Sequence, residues 1–114
     1  MTPDIKKFLK SPARNEWLIS RKLHVYVRKG FHIVAGEMRR CFDVATIEVP
    51  PQHQHQGVFT KWLAEVEAHV ATVPELECVF VESILERGLV PFLTRNGYSF
   101  VEHTEETCMY KMLK

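Results

Sequence analysis

The chain has no long hydrophobic run, no marked excess of charge of either sign, and too few cysteines for a disulfide framework. Each shortage excludes something. No apolar stretch approaches the ~18 residues that a membrane span requires. The first ten residues, charged at Lys6, Lys7 and Lys10, lack a signal-peptide core. A soluble, unsecreted protein without a membrane partner is expected. Fifteen Lys and Arg against fourteen Asp and Glu leave a formal charge of +1, too small a field to draw the molecule to nucleic acid. Local basic pairs such as Arg21–Lys22, Arg28–Lys29 and Arg39–Arg40 read as solvated faces or strand edges. Cys41, Cys78 and Cys108 form an odd set with no metal-ligand spacing. Each lies in an apolar run, which suits a buried free thiol and a reducing, cytoplasmic compartment. Gly-Lys-Ser/Thr phosphate loops and the Gly-x-Gly-x-x-Gly fingerprint are both missing. So are repeats and low-complexity linkers. What is present, 46% hydrophobic and 25% charged residues over 114 positions, reads as one globular domain spanning 1–114.

Periodicity supplies the elements. Ile5, Phe8 and Leu9 are spaced as on a short amphipathic helix within Pro3 to Ser11. Trp17 to Lys29 is strand-like, with Leu23, Val25 and Val27 alternating against His24, Tyr26 and Arg28. Gly30 offers a turn, Phe31 to Met38 a second strand, and Cys41 to Val49 a third, in an antiparallel meander. Val58 to Val73 then has helical spacing, with Phe59, Leu63, Val66 and Val70 near one face. Glu77 to Ser83 is rich in strand formers, Glu86 to Asn96 reads as a helix ended by Asn96-Gly97, and Tyr98–His103 with Cys108–Leu113 closes as an antiparallel pair. The expected class is α/β (α+β): a mixed, mostly antiparallel sheet with helices on its faces and a central β-α-β crossover from Cys41 to Ser83.

Between the third strand and the central helix runs Pro50-Pro51-Gln52-His53-Gln54-His55-Gln56-Gly57, a polar loop ended by glycine. First-turn amides of a helix have no internal partners, and the helix dipole adds positive charge there. A strand–loop–helix of this kind suits a phosphate or pyrophosphate. Gly57 removes the Cβ that would stand in the way, and the Thr60 hydroxyl lies near the first turn. The same glycine is equally at home in an ordinary loop.

The segment Gln54-His55-Gln56-Gly57-Val58-Phe59, preceded by Val49-Pro50-Pro51, resembles the Gln/Arg-x-x-Gly-x-Gly/Ala signature of the GCN5-related N-acetyltransferases. Val90 to Tyr98 resembles that family's second landmark, a helix ending Phe-Tyr-x-x-x-Gly-Phe. The resemblance covers roughly Cys41 to Met112. It implies an acetyl-coenzyme A-dependent N-acetyltransferase acting on a primary amine by direct attack. Pantetheine would run along the backbone of Ile47, Glu48 and Val49, with pyrophosphate on Gln54, His55, Gln56, Gly57, Val58, Phe59 and Thr60. A backbone amide near Glu48 or Val49 would polarise the thioester carbonyl. The chain departs from the pattern at Phe59, where Gly or Ala is usual, and at Leu93, where a tyrosine usually protonates the leaving thiolate. A leucine donates no proton. The segment before Leu23 is shorter than the family's first strand and two helices. The alternative reading is therefore a weak or inactive relative that binds coenzyme A or a protein partner.

Three residues are candidates for the chemistry. Asp43, in an apolar strand, reads either as a base acting through water or as a paired strand carboxylate. Glu48 lies beside the expected thioester, but strand parity alone does not assign its face. Ser83 ends the next strand near the same cleft, with Glu82 before it. His53 and His55 have no third His or Cys close by, so no metal is expected. Trp62 reads as core, and Arg95 as a helix-end cation. The acceptor amine is a small molecule or a protein or peptide, and Tyr98 onward offers an edge for a homodimer.

Overall fold

In the computed structural model, residues 4–54, 57–82, 89–102 and 108–114 are described. Helix α1 is Lys6–Lys10, and strands β1 (Asn15–Ile19), β2 (His24–Val34) and β3 (Glu37–Glu48) form the antiparallel meander. A single 3-10 turn at Pro51–His53 leads to α2 (Val58–Val70), then β4 (Cys78–Val81), α3 (Leu89–Arg95), β5 (Ser99–Phe100) and β6 (Met109–Met112). The sheet order is β1-β2-β3-β4-β6-β5. Its one parallel pair is β3 with β4, joined through α2, as a strand–helix–strand unit requires.

Two boundaries differ from the sequence expectation. The run Trp17 to Lys29 is broken at Ser20, whose N–H donates to the Leu23 carbonyl at 3.0 Å while its Oγ accepts from Leu23 N–H at 3.2 Å. Gly30 is no turn: it lies within β2 opposite Cys41. The chain reverses instead at Ala35-Gly36, with φ of 51° and 81°. Two successive left-handed residues match the twist of the flanking strands. Apolar alternation runs straight through Gly30, so a glycine there weakens the strand without ending it.

The molecule measures 40 × 32 × 19 Å, and the thin axis has room for two layers only, a sheet and one layer of helices about 10 Å each. The main core confirms it. Phe8 of α1, Phe59, Trp62, Leu63, Val66 and Val70 of α2 and Leu93 of α3 share one cluster with Val25, Val27, Phe42, Val44, Val79, Val81 and Met109 of the sheet. The described helices therefore share one sheet face. On the other face lies a smaller cluster of Val34, Cys41, Cys78, Phe80 and Val101. Glycine ends α3 as expected: Gly97 has φ +90°, its N–H donates to Thr94 O, and Tyr98 N–H donates to Leu93 O, the two bonds of a Schellman cap. Tyr98 OH and Lys111 Nζ then both donate to Glu67 of α2, at 2.8 and 2.9 Å. This ties the central helix to the closing strands.

Candidate active site

The candidate site lies at the described end of the β3–β4 ladder. Their ladder covers Cys41–Val44 against Cys78–Val81, and its last rung is Glu82 N–H to Val44 O at 2.9 Å. Strand β3 runs on through Glu48, held by β2 on its far side. Among the described residues nothing pairs with its near edge beyond Val44. Tyr26 faces Thr46 but Val27 faces Val44, so Ala45 is one residue too many. A bulge of this kind bends the strand that carries it.

The bulge also decides which side chains face where. Phe42 and Val44 belong to the helix-covered core, and strict alternation would send Thr46 and Glu48 there too. Ile47 and Val49 pack on that core instead, opposite Val25 in the case of Ile47. Glu48 pairs with His24 and is exposed on the helix-free face. That is the face of Asp43.

At the end of β3 the loop folds back on itself. Gln54 Nε2 donates to Val49 O at 3.0 Å, and His53 N–H to Pro50 O at 2.8 Å. Gly57 caps α2 in the left-handed region, φ 72° and ψ 20°, which favours glycine. A Cβ there would meet Thr60 Oγ1 at 3.3 Å. Among the described residues no side chain caps the helix, and the first-turn amides of Val58, Phe59 and Thr60 are the ones that a helix leaves without an internal partner. Val58 and Phe59 are buried, and the Phe59 ring turns inward to lie 5.9 Å from Trp62. Phenylalanine is thus accommodated where Gly or Ala was expected. The Thr60 hydroxyl lies in the first turn and donates to Gly57 O at 2.8 Å. His55, Gln56 and Ser83 lie outside the described residues.

Sequence reasoning missed a polar cluster on the helix-free face. Asp43 is 1% exposed. Its Oδ2 accepts from His32 Nε2 at 3.0 Å and lies 3.2 Å from Arg28 NH2, which also bonds Glu82. The His32 ring stacks on Phe80 at 3.8 Å, nearly parallel. Of the two readings of Asp43, the structure shows the paired carboxylate. The pairing is incomplete, because Oδ1 is buried without a hydrogen-bond partner. Burial first, and then the neighbouring Asp43 carboxylate, push the Glu82 carboxyl up to about 7, against the opposing pull of Arg28. His32, Asp43 and Glu82 bring ligand atoms within 4.8 Å of one another, yet Arg28 already supplies the positive charge that a cation would bring. Leu93 is buried in the core, and Tyr98 is committed to Glu67, with burial raising its phenol far above the ordinary range. Leu93 has no proton to donate. Arg95 is exposed in the last turn of α3, as expected of a helix-end cation.

A mostly antiparallel sheet whose parallel pair is joined through a glycine-capped helix is the fold of the GCN5-related N-acetyltransferases, and this chain has that fold. Solved structures of bacterial toxins align with it. A tyrosine-to-phenylalanine mutant of the AtaT toxin, bound to the C-terminus of the antitoxin AtaR and acetyl-CoA, superposes with a TM-score of 0.65 at 14% identity over 81% of this chain. A tyrosine-to-phenylalanine mutant of KacT gives 0.67 at 12% identity over 97% of this chain and 85% of its own. The KacTA–DNA complex gives 0.66 at 15% over 96% and 74%. The chain spans 59% of the length of AtaT. No family model and no curated protein sequence matches it.

Proposed function

We propose that the protein transfers an acetyl group from acetyl-coenzyme A to a primary amine. The observation that carries this reading is the coincidence of a β3 edge that no described residue pairs beyond Val44 with a helix head, at Gly57, that no described side chain caps. A thioester on a long polar tether, ended by a pyrophosphate, fits such a groove. The free edge of Ile47 to Val49 holds the tether by backbone pairing, and the amides of Val58, Phe59 and Thr60 take the pyrophosphate. A same-fold neighbour is solved with acetyl-CoA, which supports the choice of ligand. Bound there, the coenzyme supplies an activated acyl carbon. The chain's own work is to align it with the amine and to manage protons.

A protein partner belongs to the same reading, because AtaT is seen with its antitoxin. Two of the neighbouring structures also hold DNA, so the expectation of no nucleic acid, which rests on the charge of +1 alone, has no support from them. Calorimetry with acetyl-CoA tests the proposal. Binding is expected, with thermal stabilisation of about 2.7 kcal/mol at 100 times the dissociation constant. Gly57→Glu, which sets a carboxylate on the anion site and strains a left-handed position, should abolish binding while the circular-dichroism spectrum stays native. Absence of binding to the wild type at millimolar coenzyme would overturn the reading.

A further inference from the structure

Donor and acceptor must reach the gap from opposite sides. The α2 amides lie with the helices on one sheet face, so a donor anchored on them fills the gap from that side. The attacking nitrogen is left with the helix-free face. The polar groups that the described residues place on that face next to the last rung are Asp43 and Glu82, with Arg28 and His32 behind them.

We propose that Glu82 is the catalytic base: it shares a proton with Asp43 and takes the proton of an acceptor amine that arrives as its ammonium on the helix-free face. This rests on the acetyltransferase reading above and adds to it the base and the acceptor's direction of approach. Three observations support it. Glu82 supplies the last described rung of the β3–β4 ladder, and its side chain is 22% exposed against 2% for Asp43. It is therefore the reachable member of the pair. Two carboxylates are served by one guanidinium, so one negative charge is uncompensated and a shared proton removes it. Finally, Asp43 Oδ1 is a buried acceptor lacking a donor, which a protonated Glu82 would supply. The described titratable groups on this face are His24, Tyr26, Arg28 and His32 from β2, Cys41, Asp43 and Glu48 from β3, Cys78 from β4, Cys108 before β6 and Tyr110 within it. Of these, Asp43 raises the Glu82 carboxyl and Arg28 lowers it.

The step balances. Ionised Glu82 accepts one proton from the ammonium. The neutral nitrogen forms the C–N bond at the acyl carbon and the C–S bond breaks. The second nitrogen proton goes to the departing thiolate, which a core leucine at position 93 cannot protonate, and Glu82 releases its proton to water. Asp43 is a positioning residue, acting only through Glu82.

The Trp17–Tyr26 ring pair, 5.3 Å apart on the same face, makes phenethylamine a suitable probe, alongside a lysine-containing peptide. Acetyl-CoA affinity is measured first by calorimetry, then thiol release against pH, and carbon-13 titration of the Glu82 carboxyl. Wild-type turnover should rise through pH 7 to a plateau. Glu82→Gln should lower kcat by about 100-fold or more, lose that rise, and bind acetyl-CoA as tightly as wild type. Asp43→Asn should move the inflection down toward the ordinary glutamate range. The proposal is overturned if Glu82→Gln keeps wild-type kcat, if Glu82 titrates near 4.5, or if the coenzyme-bound wild type acetylates neither probe. Failure of coenzyme binding by the wild type overturns the acetyltransferase reading itself and is recognised before any amine is added.

Discussion

At the scale of single residues, Glu82 and Asp43 show what burial does to a charge. Arg28 bonds both carboxylates, and lies closer to Glu82 than to the more deeply buried Asp43. Burial and Asp43 still push the Glu82 carboxyl up to about 7 from 4.5, against the pull of Arg28. A raised carboxyl favours the neutral form in the folded state. Its contribution to stability is complete below pH 4.5 and is lost as pH rises to and past 7. The full loss is at most about 3 kcal/mol by linkage, less whatever solvent reaches the partly exposed side chain. Glu82→Gln cannot ionise, so urea unfolding at pH 4.5 and pH 8 should show wild type losing stability relative to the variant between the two. A constant difference between them would show that Glu82 titrates in its ordinary range.

Elements decide where such residues meet. The bulge at Ala45 keeps Ile47 and Val49 on the core, and a bulge bends the strand that carries it. Deleting Ala45 should leave the inward set of Val44, Ile47 and Val49 in regular alternation, so the fold should survive. What should go is the bend, and with it the gap. Acetyl-CoA affinity measured by calorimetry should fall by about tenfold or more, the equivalent of about 1.4 kcal/mol of lost edge pairing. Unchanged affinity with an intact spectrum would separate the bulge from the opening. The amphipathic period of α2 made its buried face readable in advance, because Phe59, Leu63, Val66 and Val70 fall on one stripe. The extra residue in β3 was not readable, because a run of Val-Ala-Thr-Ile fits either parity.

Across the whole molecule, one layer of helices covers one face of a six-stranded sheet. Trp62, wholly buried in the main cluster, is the largest group between the two layers. Trp62→Ala should cost about 3–5 kcal/mol in a denaturant melt, which for a domain of this size is much of its total stability. Loss of under 1 kcal/mol would mean that the helix layer is not held by this contact. The other face, which carries Asp43, Glu82 and the exposed Trp17, is covered by none of the described helices.

Local chemistry, written in the order of residues, was enough for the strand of Val25 and Val27, the α2 stripe, the glycine cap before it and the Schellman end at Gly97. Each depends on neighbours a few positions away, and period and backbone preference act over that range. Tertiary structure alone brought Arg28, Asp43 and Glu82 together. Their contact depends on which residue of β2 faces which of β3, and on where the parallel β4 stops. Register between distant strands is set by the packing of the whole sheet, and no local pattern carries it.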